Sequence, residues 1–96
     1  MSDPWYVYLV ECCDGTFYTG VARDVGRRIA AHNTGHGARY TRGRGPVRLV
    51  AQSGAMDKRS AFRLEWEVKR LPRPCKIAAV RGGEKAAPGR RQMAIS

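Results

Sequence analysis

Residues 5–22 read WYVYLVECCDGTFYTGVA and contain two strand-forming segments on either side of a turn signal. The segments at 5–12 and 16–21 are rich in aromatic and β-branched side chains, which fit the surface of a sheet. Asp14-Gly15 between them is a typical hairpin turn sequence. We therefore predict an antiparallel β-hairpin at the start of the chain.

The rest of the chain adds one strand and three helices to this hairpin. Asp24 and Asp57 are suited to cap the first two helices. Gly35 is suited to end the first helix, and Pro72 the second. In chain order, the predicted elements are a helix at 24–34, a strand at 47–53, a helix at 57–71 and a short helix at 75–80. The order β-β-α-β-α-α predicts an α+β fold, with a small three-stranded antiparallel sheet flanked by helices.

The composition is that of a small, basic, globular domain. The chain has 96 residues, with 18 Lys and Arg against 8 Asp and Glu, and a formal net charge of +10. No apolar run approaches the roughly 20 residues that span a bilayer. The N-terminus lacks the features of a signal peptide, and the three cysteines lack metal-ligand spacing, which favours reduced thiols. We predict one soluble cytoplasmic domain over residues 1–81 and a flexible basic tail over 82–96.

The densest basic segment lies between Arg39 and Arg48 and contains two glycines and no acidic residue. The planar guanidinium of arginine suits phosphate oxygens, which favours a polyanionic partner over a solvated surface that only keeps the protein in solution. A membrane partner is disfavoured, because no basic amphipathic helix offers an insertable apolar face. The predicted nucleic-acid-binding residues are Arg39, Tyr40, Thr41, Arg42 and Arg44 in this segment, and Lys69 on a later helix.

Glu65 lies at an unusual place on the helix predicted at 57–71. On a wheel of about 100° per residue, one apolar stripe consists of Ala61, Leu64, Val68 and Leu71, and a second of Phe62 and Trp66. Glu65 points between them, and a carboxylate flanked by apolar side chains needs a cation, a metal ion or a hydrogen-bond donor. The wheel by itself favours a structural salt bridge and leaves metal binding or catalysis open. Glu67 shares a face with arginines and is interpreted as a solvated ion-pair partner.

Two further groups of residues have both a chemical and a structural interpretation. Arg28 and His32 are four residues apart on the first helix, so they share a face and together can bind a phosphate. Separately, Arg28 is explained as a surface charge and His32 as a complement to the helix dipole. Cross-strand packing explains the hairpin tyrosines, Tyr6, Tyr8 and Tyr18. A phenol beside a guanidinium, however, has its charged form favoured and can act as a general base.

The order of these residues resembles that of the GIY-YIG nuclease domain. That family has a Gly-Ile-Tyr and a Tyr-Ile-Gly triplet on a hairpin, an Arg ten residues after the second Tyr, a His four residues later and a metal-binding Glu on a later helix. The matching residues here are Tyr6-Val7-Tyr8, Tyr18-Thr19-Gly20, Arg28, His32 and Glu65. Tyr6 stands in place of the first Gly, and Thr19 in place of the second Ile. The resemblance covers residues 4 to about 81 and is closest to small stand-alone bacterial members, as HNTGHGARYT at 32–41 indicates.

This resemblance implies a metal-dependent endonuclease that hydrolyses phosphodiester bonds in DNA, with selectivity for DNA structure and a role in repair or processing. It implies one divalent cation, Mg²⁺ or Mn²⁺, held by Glu65, while Arg28 meets the negative charge that develops on the scissile phosphate. Tyr8 or Tyr18 would take a proton from water, and His32 would orient or relay it. The expected partner is a nucleic acid and not a membrane, and a monomer is favoured.

Two other interpretations remain open for the same sequence. The first is a non-catalytic nucleic-acid-binding module on the same scaffold. The second is a structural or interaction protein whose charge only serves solubility. Cleavage of a nucleic acid would distinguish the nuclease from both, and loss of polyanion binding after neutralising the arginines would exclude the second.

The family resemblance also makes a prediction about the hairpin loop, because it requires Tyr8 and Tyr18 on one face. A two-residue Asp14-Gly15 turn would put these tyrosines on opposite faces. A three-residue loop, Cys13-Asp14-Gly15 with Gly15 in the left-handed region, shifts the register by one residue and brings them together. We therefore predict this loop or an equivalent bulge.

Overall fold

The computed structural model describes residues 3–35 and 45–82, which contain the predicted elements in the predicted order. The elements are β1 (Tyr6–Glu11), β2 (Phe17–Ala22), α1 (Val25–Asn33), β3 (Arg48–Gln52), α2 (Lys58–Lys69) and α3 (Arg73–Arg81). The α+β class is thus confirmed. Helix α3 begins two residues earlier than predicted, because Pro74 lies in its first turn, where a missing N–H costs no helical hydrogen bond.

The sheet has the order β2-β1-β3, and both strand pairs are antiparallel. Cys12 N donates to Thr16 O over 2.8 Å, so the hairpin loop consists of Cys13, Asp14 and Gly15. Gly15 has φ +86°, the left-handed region that glycine enters without strain. The predicted three-residue loop is therefore confirmed.

The register that follows from this loop places Tyr8 and Tyr18 on the same face. Tyr8 is opposite Gly20, and Val10 is opposite Tyr18. Residues directly opposite one another on antiparallel strands point to the same face, and so do residues two apart on one strand. The strand register thus confirms the prediction that the two tyrosines lie on one face of the hairpin.

Strand β1 separates two hydrophobic clusters, one on each face of the sheet. Val7 and Leu9 pack with Ala61, Leu64, Val68 and Val80 from α2 and α3. Tyr8 and Val10 pack on the other face with residues that include Val25 of α1 and Val47. Because β1 is covered on both sides, its Tyr8 side chain is only 1% exposed. A candidate catalytic residue therefore lies inside the core.

Both helices that carry candidate residues have the predicted N-caps. Asp24 Oδ1 accepts from Arg27 N over 3.1 Å, and Asp57 Oδ1 accepts from Ser60 N over 2.7 Å. These carboxylates satisfy N–H groups that have no partner within the helix. Gly35, with φ +84°, follows α1 as predicted. Within the two described ranges, no helix has the length and apolarity that a membrane span requires.

Candidate active site

The centre of the site is a buried contact between a tyrosine of β1 and a histidine of α1. Tyr8 Oη and His32 Nε2 are 2.9 Å apart, which is a hydrogen bond. Both side chains are buried, at 1% and 2% exposure. Helix α1 packs on the sheet face that carries Tyr8, through Val25 and Ile29, and this brings His32 to the phenol.

Tyr18 completes a cluster of three rings with Tyr8 and His32. Its ring centroid is 6.4 Å from that of Tyr8 and 5.5 Å from that of His32. The contact with His32 is edge-on, a favourable geometry for aromatic rings. Tyr18 is half-buried, so it lies closer to the surface than Tyr8. The hairpin and α1 together therefore hold two phenols and one imidazole against each other.

Arg28 joins this cluster from the same face of α1 as His32. Its guanidinium is near enough to Tyr8 to favour the charged form of the phenol, and its positive charge also acts on His32. Arg28 is exposed and lines a cleft together with Trp5, Arg23 and Arg27. The spacing of four residues predicted a shared face, and the structure confirms it. Arg28 thus offers a positive charge to the cleft and also acts on the charge of a buried phenol.

Burial controls the proton affinities of this centre. It raises the pKa of Tyr8 to about 12, although the nearby guanidinium of Arg28 acts in the opposite direction. Burial also lowers the pKa of His32, and the positive charge of Arg28 lowers it further. The sequence predicted that the guanidinium would favour a charged phenol. Its effect has the predicted sign but is smaller than that of burial, so Tyr8 and His32 are both neutral at neutral pH.

Glu65 lies on α2 at the edge of the same centre. Its side chain is 18% exposed, and its Oε2 is 3.2 Å from Nζ of Lys69, one helical turn further along. Lys69 Nζ in turn lies 5.9 Å from the centroid of the Tyr18 ring. The charge of Glu65 raises the pKa of Tyr8, so the carboxylate acts on the buried phenol. The cation required by a carboxylate between apolar stripes is therefore supplied by Lys69.

The rest of α2 agrees only in part with the helical wheel. Ala61, Leu64 and Val68 are buried as one stripe, whereas the second stripe, Phe62 and Trp66, is 46% and 60% exposed. Glu67 pairs with Arg63 over 3.6 Å, and both side chains are largely exposed. Glu67 is thus a solvated ion-pair partner, as predicted.

A metal ion would have one protein carboxylate at this site. Residues 3–35 and 45–82 contain no group of three or more His, Cys, Asp or Glu side chains that could hold a metal ion. Mg²⁺ commonly keeps several waters and binds through one or two carboxylates together with substrate phosphates. The half-buried Glu65, which pairs with Lys69 and acts on the charge of Tyr8, fits a site of that kind, and it does not fit a site built from protein ligands alone.

Gly20 has a role that its position in the triplet did not reveal. It lies opposite Tyr8, and a Cβ at Gly20 would overlap the hydroxyl and Cζ of Tyr8 and lie 2.9 Å from its Cε2. Only a residue without a side chain lets the phenol lie against β2 at this point. The strand register, once fixed by the loop, was the signal that could have identified this requirement.

Asn33 is a second residue that the sequence did not single out. Its Oδ1 accepts from Val47 N over 2.6 Å, and its Nδ2 donates to Val47 O over 3.2 Å. The side chain thus bonds to both backbone groups of a residue that precedes β3. This contact holds the last turn of α1, which carries His32, and nothing in the local pattern indicated it.

The predicted nucleic-acid-binding residues have different positions relative to the described structure. Lys69 lies beside Glu65 and Tyr18, at the edge of the ring cluster. Five others, Arg39, Tyr40, Thr41, Arg42 and Arg44, lie outside the described residues, as does all of the predicted tail beyond Gly82. The structure therefore brings together Tyr8, Tyr18, Arg28, His32, Glu65 and Lys69.

Comparison with known proteins agrees with this constellation. The family model of the GIY-YIG catalytic domain matches residues 4–78. UPF0213 protein BH0048 from Halalkalibacterium halodurans is 52% identical over 80 residues, which cover 81% of this chain and 85% of that protein. UPF0213 protein VNG_2274C from Halobacterium salinarum is 51% identical over 73 residues, or 76% of this chain and 95% of that protein.

A solved structure is similar in sequence over most of its length. The solution NMR structure of UPF0213 protein BH0048 from Bacillus halodurans is 51% identical, covers 88% of this chain and 88% of that chain, and has a TM-score of 0.49. A nuclease domain implies a nucleic acid as the substrate. The match to the family model covers most of the chain and includes Tyr8, Tyr18, Arg28, His32 and Glu65. The chain therefore belongs to the GIY-YIG family.

Proposed function

We propose that this protein is a metal-dependent endonuclease that hydrolyses phosphodiester bonds in DNA. The observation that carries the proposal is a cluster around Tyr8: a second phenol and an imidazole contact it, and a guanidinium and a half-buried carboxylate are near enough to act on its charge. Together these groups offer charge stabilisation, proton transfer and a cation ligand, which are the capacities that metal-assisted hydrolysis of a phosphodiester uses.

Arg28 is the group that would contact the scissile phosphate. Its guanidinium is exposed to the cleft, and a planar guanidinium can donate two parallel hydrogen bonds to phosphate oxygens. Arg23 and Arg27 line the same cleft and add positive charge around it. The guanidinium would stabilise the negative charge that develops on the phosphate as water attacks.

Proton transfer would run through the hydrogen bond between Tyr8 and His32. A phenol with a pKa of about 12 is neutral at neutral pH, so it is not a preformed base. Neutral His32 can accept the Tyr8 proton at Nε2 while the Tyr8 oxygen takes a proton from water. Tyr18, which is more exposed and contacts the same imidazole, would orient that water.

Glu65 would hold one divalent cation, Mg²⁺ or Mn²⁺. When bound, such an ion supplies positive charge to the phosphate and to the leaving oxygen. Lys69 pairs with Glu65 in this structure, and its side chain is 51% exposed. The ammonium can therefore turn from Glu65 to a phosphate of the substrate, which leaves the carboxylate to the cation.

A non-catalytic nucleic-acid-binding module is the second candidate function. The ion pair between Lys69 and Glu65 favours it, because an ammonium 3.2 Å from the carboxylate already neutralises the charge that a metal ion would need. In that case the same arginines would bind a phosphate backbone without hydrolysis.

The decisive experiment compares two carboxylates of α2. Glu65→Gln should reduce cleavage of DNA in Mg²⁺ or Mn²⁺ by at least about 100-fold, because metal-assisted charge stabilisation contributes several kcal/mol to such reactions. Binding of the same DNA in EDTA should be unchanged or stronger, since a negative charge is removed. Glu67→Gln, two residues further along and exposed, is the matched control and should retain full activity.

The outcomes separate the two candidate functions. Undiminished cleavage by Glu65→Gln would reject Glu65 as the metal ligand. The wild-type protein should also be tested on branched, nicked and single-stranded DNA and RNA in both metals. Binding of these substrates without cleavage would reject the endonuclease and favour the binding module.

A further inference from the structure

Two exposed aromatic side chains and one half-buried aromatic side chain form a row beside the active site. Phe62 and Trp66 are 46% and 60% exposed, and they lie one turn apart on the same side of α2. The ring centroid of Trp5 is 5.8 Å from that of Phe62, which extends the row to the start of the sheet. We call Trp5, Phe62 and Trp66 the aromatic row. Large apolar side chains that are exposed together indicate a binding surface.

Positively charged side chains lie over the rings at both ends of this row. Arg70 Cζ is 4.7 Å from the centroid of Trp66. Arg23 Cζ and Lys58 Nζ are 5.8 Å and 5.6 Å from the centroid of Trp5. These distances are within the range of cation–π interactions. The row therefore combines flat aromatic surface with positive charge, a combination that suits nucleotides better than an apolar partner.

The row adjoins the proposed catalytic groups at two points. Trp66 directly follows Glu65, and Phe62 precedes it by three residues, so both rings lie beside the carboxylate on the side away from the core. Trp5, at the other end, lines the cleft that contains Arg28. A strand whose phosphate contacts Arg28 would therefore have neighbouring nucleotides within reach of the row.

We propose that the aromatic row stacks unpaired bases of a single-stranded segment next to the scissile phosphate, an inference that rests on the proposed nuclease function. In a duplex, each base is already stacked between its neighbours, so only unpaired bases offer a face to a protein ring. A second copy of the chain is a weaker candidate for this surface, because two proteins of charge +10 repel each other.

The test measures DNA binding in EDTA, so that it does not depend on cleavage. Trp66→Ala and Phe62→Ala remove exposed rings and should leave the fold intact. Each should weaken binding of a single-stranded oligonucleotide by roughly 5- to 150-fold, the effect of removing one stacked base, and leave binding of a blunt duplex within about 2-fold. Trp66→Phe keeps a ring and should restore most of the affinity.

Leu49→Ala is the control, since Leu49 is 42% exposed on β3 and is not part of the row. It should change neither affinity. Equal losses for single strand and duplex, or no loss for either, would overturn the inference. A wild-type dimer that becomes monomeric in Trp66→Ala would assign the row to a second copy and also overturn it.

The two proposals fail in distinguishable ways. If the protein binds single strands through Trp66 but never cleaves them, the endonuclease is rejected and the stacking row is supported. The opposite result is cleavage that depends fully on Glu65 together with single-strand binding that the Trp66 and Phe62 variants leave unchanged. That result would support the endonuclease and reject the stacking row.

Discussion

Tyr8 fills a core position and supplies a candidate catalytic hydroxyl at the same time. Its ring packs with Val10 and Val25, and its hydroxyl contacts His32. Burial fixes the position of the hydroxyl and raises the pKa of the phenol to about 12. The chemistry at Tyr8 is therefore a proton exchange between water and an imidazole, and it does not use a phenolate that exists before the substrate binds.

Gly20 provides a test of how closely this phenol is held. In Gly20→Ala, the new Cβ overlaps the Tyr8 ring, which the core and His32 prevent from moving away. We expect a loss of about 1–3 kcal/mol in the free energy of unfolding, as overpacked cores show, and weaker cleavage because the Tyr8–His32 hydrogen bond is displaced. Urea denaturation and a cleavage assay measure the two effects.

Gly26→Ala is the matched control for this substitution. The nearest atom to its added Cβ is Asp24 Oδ1 at 3.8 Å, an ordinary contact, and Gly26 lies in α1, where alanine favours the helix. Gly26→Ala should be neutral or slightly stabilising. Equal stability and activity in Gly20→Ala and Gly26→Ala would show that the phenol does not need the glycine.

At the scale of elements, α1 is the helix that must be held most firmly. It carries Arg28 and His32, and its two ends are fixed by side chains that bond to backbone groups. Asp24 caps the N-terminal end, and Asn33 holds the C-terminal end to Val47. The helix has only nine residues, too few to be stable alone, so these contacts and its packing on the sheet keep it in place.

Asp24→Ala is expected to lower the free energy of unfolding by about 0.5–2 kcal/mol, because it removes the acceptor for Arg27 N. Asp24→Ser restores an acceptor and should recover most of the loss. Urea denaturation of the three proteins provides the measurement. A serine variant as unstable as the alanine variant would mean that the cap contributes little and that Asp24 acts through another contact.

The elements could be predicted from the sequence because their signals are local. Aromatic and β-branched residues identified β1 and β2, and Asp24 and Asp57 marked the first turns of α1 and α2. The start of α3 was missed by two residues, since a proline in the first turn is compatible both with a loop and with a helix. The polar contacts between elements, such as Asn33 with Val47, have no local signal at all.

The candidate site was predictable to a similar extent. The resemblance to a family identified Tyr8, Tyr18, Arg28, His32 and Glu65 as a group, and the structure brings them together. The ion pair of Glu65 and the burial of Tyr8 were not predictable, because they depend on how α2 and α1 pack against the sheet. Packing of this kind changes the pKa of a side chain by burying it and by bringing charges near it. The spacing of residues along the chain carries no information about either effect.

At the scale of the whole molecule, His32 makes stability depend on pH. Burial holds the pKa of His32 in the folded protein below its ordinary value of 6.5, so the unfolded chain binds this proton at a higher pH than the folded protein does. The stabilising contribution is therefore complete above pH 6.5 and is lost as the pH falls through the folded pKa.

This linkage predicts a difference between the wild-type protein and His32→Gln. From about pH 7.5 to about pH 5.5, the free energy of unfolding should fall more steeply in the wild-type protein, because only it must keep a buried imidazole neutral. Urea denaturation at several pH values compares the two slopes. Identical slopes would mean that His32 takes up a proton without cost in the folded state.

The hairpin loop imposes a constraint on changes in chain length. Surface loops generally accept insertions and deletions, and Cys13-Asp14-Gly15 is a surface loop. Loss or gain of one residue here, however, would turn the side chains of β2 to the other face of the sheet and separate Tyr18 from His32. For this hairpin, the parity of the loop length matters more than its composition, so viable length variants at this position should differ by an even number of residues.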